Sequence, residues 1–252
     1  MTPEALTPRR AVAVVTGGSR GIGKAVVEEL ARAGLIVRFT FLKSAERARL
    51  LEEELRRAGC EVASEQVDGR DAGACRAFVA KVIAELGRLD VLVNNAAVTA
   101  DRLFPMMSPS EWSAVLETSL NGLFGTTQPA TIQMMRQRSG RIVNITSVSG
   151  LIGMAGQANY CTAKASIIGF TRALAKEMAA WGVCVNAVAP GYIDTDMVGA
   201  LTAEQRSAAE QRVPLRRFGT AAEVATLVRF LALEAPPYLI GQTLVLDGGL
   251  TA

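Results

Sequence analysis

The sequence predicts an α/β fold built on one doubly wound parallel sheet of about seven strands, and three observations support this. Seven short runs rich in β-branched and other apolar residues recur along the chain, and stretches with helical periodicity lie between them. The first run leads directly into a glycine-rich turn. Strands that alternate with helices form βαβ units, whose parallel sheet is covered by helices on both faces.

The predicted strands follow one another along the whole chain, at 11–16, 35–41, 60–67, 89–96, 140–147, 183–190 and 242–249. The segment 44–59 illustrates the helices between them. Ser44 can cap it, Glu52 and Glu53 can pair with the arginines four residues later, and Gly59 can end it. No repeat or linker divides the chain, so we expect residues 1–252 to form one domain, with residues 1–9 as a flexible lead-in.

Composition excludes several classes of function. The net charge is +3, and no basic run with interleaved aromatic residues indicates nucleic-acid binding. No apolar stretch is long enough to cross a membrane, and the first residues lack the apolar core of a signal peptide. The four cysteines are far apart and form no C-x-x-C pair, which favours reduced thiols in a cytoplasmic protein over disulfides or a zinc site.

The stretch TGGSRGIG at 16–23 allows two interpretations. Residues 17–21 match G-x-S-x-G, which can mark the nucleophile of a serine hydrolase, whereas a glycine-rich turn can also bind a phosphate. The chain contains no histidine, so it lacks the base of a Ser-His-Asp hydrolase and any histidine-ligated metal site. The turn also follows the first strand and opens the first helix, as a dinucleotide-binding turn does. We therefore predict a phosphate-binding turn and no metal.

Five motifs in the same order resemble those of the short-chain dehydrogenases/reductases, from about residue 9 to the end of the chain. They are TGGSRGIG, VNNAA (93–97), the Ser-Tyr-Lys set within 147–164, VNAVAPGYIDTDM (185–197) and the C-terminal segment that ends in QTLVLDGG. Within this family the chain most resembles the 3-oxoacyl-(acyl-carrier-protein) reductases. The resemblance implies a Rossmann-type domain and NADP(H)-dependent reduction of a carbonyl.

Tyr160 and Lys164 are four residues apart in a helical stretch and therefore share a helix face. A nearby ammonium favours a phenolate and lowers the pKa of a tyrosine, so the pair can act as a general acid. Ser147 ends the preceding strand, where its hydroxyl can hold a carbonyl oxygen. Such residues are also common on ordinary helix surfaces and strand ends, and Ser149 is a competing serine. The family resemblance implies that Ser147 has the catalytic role.

The end of the second strand bears on the choice of cofactor. An acidic residue there usually holds a free ribose 2′-hydroxyl, but the corresponding residue is Phe41. Arg20 and Lys43 can instead reach a 2′-phosphate, although Lys43 can equally be a solvated loop charge. We therefore expect NADP(H). The resemblance implies these cofactor contacts: Gly17, Ser19, Arg20, Gly21, Ile22, Gly23, Lys43, Asp68, Asn94, Ala96, Tyr160, Lys164, Pro190, Gly191, Ile193 and Thr195.

Four of these contacts have a more specific expected place. The resemblance puts Asp68 at the adenine edge and Asn94 near the adenosine ribose, and it puts Ile193 and Thr195 beside the nicotinamide carboxamide. Asn94 can instead be a structural residue that ties neighbouring strands together.

Ser119 departs from the family pattern. The family usually has an asparagine there, which holds a water that connects the active-site lysine to solvent. Asn121 cannot replace it, because two positions along a helix point in nearly opposite directions. The Ser119 hydroxyl can hold the water but is shorter, which places the rate, though not the type of reaction, in question.

Three functions stay open from the sequence. One is reduction of β-ketoacyl chains on an acyl carrier protein, an acidic partner that related reductases bind through basic residues beside the pocket. Arg138 matches one such position, whereas the other is Trp181. The second is reduction or oxidation of a free small ketone or alcohol, and the third is a regulatory or scaffolding role with weakened catalysis. The family resemblance also implies a homotetramer, joined through residues near 110–135, 157–180 and the C-terminal segment.

Overall fold

The computed structural model describes residues 10–196 and 202–252, so the expected lead-in at 1–9 and the last residue of VNAVAPGYIDTDM lie outside the described residues. These residues include nine strands, namely β1 (Val12–Val15), β2 (Ile36–Phe41), β3 (Val62–Gln66), β4 (Val91–Asn94), β5 (Gly140–Ile145), β6 (Val183–Pro190), β7 (Ile193–Asp194), β8 (Gly219–Thr220) and β9 (Thr243–Leu246). Seven of them form one parallel sheet in the order β3-β2-β1-β4-β5-β6-β9. The predicted doubly wound sheet is confirmed, and each of its strands falls within a predicted run.

Helices cover both faces of this sheet. They are α1 (Gly21–Arg32), α2 (Ala45–Arg57), α3 (Ala72–Leu86), α4 (Pro109–Gln137), α5 (Ser149–Ile152), α6 (Ala158–Met178), α7 (Ala203–Arg212) and α8 (Ala221–Arg229). Apolar residues of α1, α2 and α8 form one core cluster, and those of α3, α4 and α6 form the other. In β1, Ala13 and Val15 face the first cluster, while Val12 and Val14 face the second. A central parallel strand is therefore apolar at every position, because both of its faces are buried.

The predicted helix at 44–59 illustrates how well local signals hold. Glu52 and Glu53 pair with Arg56 and Arg57, and Gly59 follows the end of α2 with a φ of 79°, as predicted. The predicted cap is wrong in one respect. Ser44 is the N-cap residue, but its side chain makes no capping hydrogen bond. Its backbone (φ −100°, ψ 53°) departs from the extended conformation that directs a cap side chain at the first-turn amides.

The short strands β7 and β8 form a second parallel sheet that the sequence did not predict. Two residues per strand are too few for an apolar periodicity to be visible. Strand β7 follows shortly after β6, and its pairing with β8 holds residues 193 and 194 in place. Within the described residues, no helix combines the length and apolar character needed to cross a membrane.

Candidate active site

The glycine turn lies between β1 and α1, at the carboxyl edge of the parallel sheet. Strand order reverses beside β1, because β2 continues the sheet on one side and β4 on the other. Ligands of doubly wound proteins bind in the crevice at such a reversal. The fold therefore places the turn where a dinucleotide is expected.

Neighbouring strands hold the backbone of the turn. Thr40 at the end of β2 accepts from Gly17 N through its Oγ1 (3.2 Å) and from Gly18 N through its carbonyl (2.8 Å). From the other side, Asn95 Nδ2 donates to Thr16 O (2.9 Å) and Gly17 O (3.1 Å). The sequence reasoning assigned no role to Thr16, Thr40 or Asn95. Asn95 lies directly after a strand and within the VNNAA motif, and this position could have indicated its role.

Two glycines of the turn have a steric requirement. Gly17 has a φ of 66°, which favours glycine. A Cβ on Gly23 would lie 2.1 Å from Gly17 O and 2.5 Å from Asn95 Nδ2, so a side chain there would displace the turn itself. Arg20, the N-cap residue of α1, makes no side-chain capping bond. Because the first amides of a helix have no partner within the helix, the amides of Gly21 to Gly23 suit an anion such as a pyrophosphate.

The surroundings of the turn fit a 2′-phosphate better than a free 2′-hydroxyl. Phe41 ends β2, where an acid would hold a ribose hydroxyl. Arg20 and Lys43 are exposed, and neither has an ion-pair or hydrogen-bond partner within the described part of the chain. Unlike Arg20 and Lys43, Asp68 already has a partner within the chain. Arg70 binds its carboxylate and holds the pKa of Asp68 below its usual value.

The remaining expected cofactor residues line the same edge. Ser19 is buried, and Ile22 packs against the first core cluster. Ala96 N donates to Thr16 Oγ1 (3.0 Å), and Pro190 O accepts from Val148 N (3.0 Å). Gly191 lies directly against Asp247, since a Cβ on Gly191 would come within 2.7 Å of it.

The segment after β6 crosses over the glycine turn. Thr195 Cγ2 lies 3.4 Å from the position that a Cβ on Gly21 would occupy. Ile193 is buried in β7 and pairs with Gly219. The structure therefore brings Thr195 to the turn, and Ile193 is the buried anchor of this crossing.

Asn94 belongs to a buried polar chain between strands and helices. Its Nδ2 donates to Asn144 Oδ1 (2.8 Å) and Thr127 Oγ1 (3.0 Å), while its Oδ1 accepts from Thr126 Oγ1 (2.7 Å). Asn144 in turn donates to Thr171 Oγ1 (2.9 Å). These internal partners favour the structural interpretation of Asn94, which links β4 to β5 and to α4.

Ser147, Tyr160 and Lys164 come together beside this crevice. Ser147 lies just beyond β5, whereas Tyr160 and Lys164 lie on α6. Lys164 is among the largest fully buried side chains, and its Nζ donates to Ile145 O (2.8 Å) and lies 5.5 Å from the centre of the Tyr160 ring. The shared helix face that the four-residue spacing predicts is confirmed.

Burial shifts the two titratable groups in opposite directions. It raises the pKa of the Tyr160 phenol to about 12, while a hydrogen bond with the Ser147 side chain opposes the rise. It lowers the pKa of Lys164 to about 8. The expectation that the tyrosine pKa is lowered overall is therefore wrong. The lysine amine donates to a backbone carbonyl, and the cost of burying a phenolate dominates.

The beginning of α6 is fixed by residues to which the sequence reasoning gave no role. Asn159 is fully buried, and its Nδ2 donates to Ala100 O (3.0 Å) and Glu111 O (3.2 Å). Gln157 donates to Asp101 Oδ2 (2.7 Å) and accepts from Ser149 Oγ (3.3 Å). Ser149, the competing serine, thus supports the helix start. These contacts hold Tyr160 at a defined position relative to the segment between β4 and α4.

Ser119 lies on α4 with 4% of its surface exposed, and its Oγ has no hydrogen-bond partner among the residues described. A buried hydroxyl can donate one hydrogen bond and accept two, so Ser119 has the capacity to bind a water. Asn121 faces another way, since it is exposed and donates to Arg70 O (3.1 Å). The prediction that Asn121 cannot replace the missing asparagine is confirmed.

Arg138 lies at the opposite edge of the sheet from Ser147. It caps the end of α4 just before β5 begins, whereas Ser147 follows the end of β5, and six strand residues span roughly 20 Å. Its guanidinium lies 5.0 Å from the ring centre of Trp181, which precedes β6 at the same edge. Arg138 is therefore remote from Ser147 of its own chain, and its part in binding a carrier protein stays a prediction.

Over residues 10–196 and 202–252, no group of three histidine, cysteine or acidic side chains could hold a metal ion. All four cysteines are free thiols.

Comparison with known proteins places this geometry among related chains. The family model described as short chain dehydrogenase matches residues 11–206. The 3-oxoacyl-(acyl-carrier-protein) reductase FabG of Staphylococcus aureus is 43% identical over 238 residues, which cover 94% of this chain and 97% of the relative. A 3-oxoacyl-(acyl-carrier-protein) reductase of Synechocystis sp. is 45% identical over 240 residues, which cover 95% of this chain and 96% of the relative. Nodulation protein G of Azospirillum brasilense is 44% identical over 239 residues, with 95% and 97% coverage.

Proposed function

The chain belongs to the short-chain dehydrogenase family, and we propose from this premise that it reduces β-ketoacyl thioesters to β-hydroxyacyl thioesters with NADPH. The observation that carries the proposal is the group of Ser147, Tyr160 and Lys164, with Ser147 and Lys164 buried, at the same sheet edge as the glycine turn. Arg20 and Lys43, which have no partner among the described residues, and the absence of an acid at Phe41 support NADPH as the cofactor.

The proposed roles follow from the chemistry of each side chain. NADPH, when bound, supplies a hydride to the β-carbonyl carbon. Tyr160, whose pKa is about 12, carries its proton at neutral pH and so has the form that a general acid needs. It donates this proton to the carbonyl oxygen, which the Ser147 hydroxyl also holds. The Lys164 ammonium then stabilises the phenolate that remains.

Ser119 provides the proposed route for returning a proton to this group. Its Oγ is buried and has unused hydrogen-bonding capacity, as noted above for the described residues. A water held there would connect the buried Lys164 region with solvent along α4. A serine hydroxyl reaches less far than an asparagine amide, so we expect a substitution at Ser119 to change the rate of this proton return.

The acyl carrier protein enters the proposal through the relatives, two of which are named as reductases of carrier-bound 3-oxoacyl groups. The segment between β4 and α4 offers a surface for the acyl part, because Leu103, Phe104 and Met106 are exposed there. Arg102 N of the same segment donates to Gly156 O (2.7 Å), so this apolar surface is attached to the loop that precedes Tyr160. Arg138 has no part in this arrangement within one chain.

The proposal includes a homotetramer in the cytoplasm. Large apolar side chains are exposed on α4, at Phe124 and Ile132, and on β9, at Val245. These elements are the ones through which the family resemblance implies association, and free thiols are compatible with a reducing compartment. Light scattering at micromolar concentration should give four times the chain mass of 26.7 kDa. A monomer mass would refute the tetramer.

A substrate screen tests the proposed reaction. NADPH oxidation is followed with acetoacetyl-acyl carrier protein, with acetoacetyl-CoA and with simple ketones, for the wild type, Tyr160→Phe and Tyr238→Phe. We expect turnover of the acetoacetyl thioesters, a loss of at least about 100-fold in Tyr160→Phe, and no change in Tyr238→Phe, whose residue is 98% exposed. Turnover of simple ketones alone would support the second function, and tight NADPH binding without turnover would support the regulatory one.

A further inference from the structure

Arg47 and Asp196 form an ion pair between two segments that flank the glycine turn. Arg47 is the third residue of α2, which follows β2, and Asp196 comes shortly after β7. The guanidinium Nη1 donates to Asp196 Oδ2 across 149 positions of sequence. Both side chains are about half exposed, at 58% and 49%. The pair therefore links the segment after the second strand to the segment that crosses over the turn.

Its position brings the Arg47 guanidinium to the cofactor edge. Asp196 follows Thr195, whose Cγ2 lies 3.4 Å from the Cβ position of Gly21. Lys43 precedes α2 by two residues, and Arg20 directly precedes Gly21. Arg20, Lys43 and Arg47 thus belong to the segments that directly follow β1 and β2.

The other arginines of α2, all of whose residues are described, have partners close to their own helix. Arg49 pairs with Glu46 and Glu53, Arg56 pairs with Glu52, and Arg57 pairs with Glu53. Among the arginines of α2, only Arg47 forms its ion pair with a residue outside this helix.

An exposed ion pair contributes little to stability, so Arg47 can leave Asp196 at little cost. A phosphomonoester carries more charge than a carboxylate and matches the planar donor pattern of a guanidinium. We propose that Arg47 is a specificity-determining residue for the 2′-phosphate of NADPH, and that Asp196 is an internal competitor that Arg47 releases when the phosphate binds. The inference rests on the use of NADPH in the proposed function.

Binding measurements test this without any turnover. Dissociation constants for NADPH and NADH are measured by fluorescence, and those for 2′-AMP and 5′-AMP by calorimetry, with the wild type, Arg47→Gln, Asp196→Asn and the double variant. Arg49→Gln is the matched control, since it removes an arginine of the same helix whose partners are Glu46 and Glu53.

We expect Arg47→Gln to weaken NADPH and 2′-AMP about tenfold, as the loss of a charge-assisted hydrogen bond does, and to change NADH and 5′-AMP less than about twofold. Asp196→Asn should tighten NADPH about two- to fivefold, the range that corresponds to an exposed ion pair. In the Arg47→Gln background the second substitution should have almost no effect, because no guanidinium is left to release. Arg49→Gln should resemble the wild type.

Three outcomes would overturn the inference. Equal weakening of NADPH and NADH by Arg47→Gln would assign Arg47 a structural role only. Unchanged NADPH binding in Asp196→Asn would show that Asp196 does not compete. Equal tightening by Asp196→Asn in both backgrounds would show simple charge repulsion. If the phosphate-specific pattern appears although no β-ketoacyl thioester is reduced, the inference stands and the proposed reaction fails.

Discussion

Lys164→Met should make the protein's stability less dependent on pH while it removes catalysis. Burial lowers the pKa of Lys164 from 10.5 to about 8, so the unfolded chain holds a proton on this residue that the folded chain lacks between these values. Unfolding free energy rises with pH wherever the unfolded state binds more protons. The cost of the buried charge is thus fully present below pH 8 and disappears as the pH rises towards 10.5.

The expected magnitude follows from the linkage relation. Each pH unit in this window adds about 1.4 kcal/mol, or about 3 kcal/mol in all, to the wild-type free energy of unfolding relative to the variant. Near pH 7 methionine avoids this cost but leaves Ile145 O without its donor, which costs about 1–3 kcal/mol. The two effects nearly cancel at neutral pH, so the slope with pH is the informative quantity and the value at one pH is not.

Urea unfolding followed by circular dichroism, at several values between pH 7 and 10 and at fixed protein concentration with a reductant, measures this slope. Lys176→Met, which removes an exposed lysine from the same helix, is the matched control. The difference between wild type and Lys164→Met should grow steadily in favour of the wild type above pH 8. A difference that stays constant to pH 10 would show that Lys164 keeps its proton in the folded state and would refute the reasoning.

Three further predictions concern the turn, the cofactor and the relay. Gly23→Ala should abolish measurable NADPH binding, because its Cβ would lie 2.1 Å from Gly17 O. Gly169→Ala, whose Cβ would have nothing within 4 Å, is the control and should bind NADPH normally. Normal NADPH binding by Gly23→Ala would contradict the proposed turn. Arg20→Ala should weaken NADPH about ten- to a hundredfold more than NADH in fluorescence titrations, and equal wild-type kcat/KM for the two cofactors would contradict the preference. Ser119→Asn should raise kcat modestly with one β-ketoacyl thioester and leave NADPH affinity unchanged; a variant slower at every pH would show that the pocket is built around serine.

Much of the fold could be predicted because the strands of a parallel sheet leave a recognisable apolar pattern in the sequence. Strands buried on both faces, such as Val12–Val15, give short uninterrupted apolar runs, which their length and β-branched residues distinguish from buried helices. The pair Ile193–Asp194 and Gly219–Thr220 escaped prediction, since two-residue strands have no period and their pairing depends on the path of the chain after β6. The Ser44 side chain likewise depends on a local backbone angle that residue type does not determine.

The site could be predicted in its residues but not in its electrostatics. The spacing of Tyr160 and Lys164 fixes a shared helix face. Only the packing shows that Lys164 is buried and that its amine donates a hydrogen bond to Ile145 O. The sequence likewise could not show that Arg70 binds the Asp68 carboxylate, or that the hydrogen-bond partners of Asn94 come from distant helices. The distance of Arg138 from Ser147 could have been predicted from the sequence, because a residue before β5 and a residue after it must lie at opposite edges of the sheet.

The opposed pKa values of Tyr160 and Lys164 explain how one buried site can be stable at rest and still release a proton. Burial disfavours the phenolate, and it disfavours the ammonium, so each charge alone is costly. In the proposed reaction Tyr160 gives its proton to a developing alkoxide, so the phenolate forms close to Lys164, and the opposite charge offsets part of the cost of burying both. The tyrosine is therefore held protonated until an acceptor is present. Removing the lysine leaves the phenolate without its counter-charge, which is why Lys164→Met should abolish turnover under the conditions in which the folded chain survives the substitution.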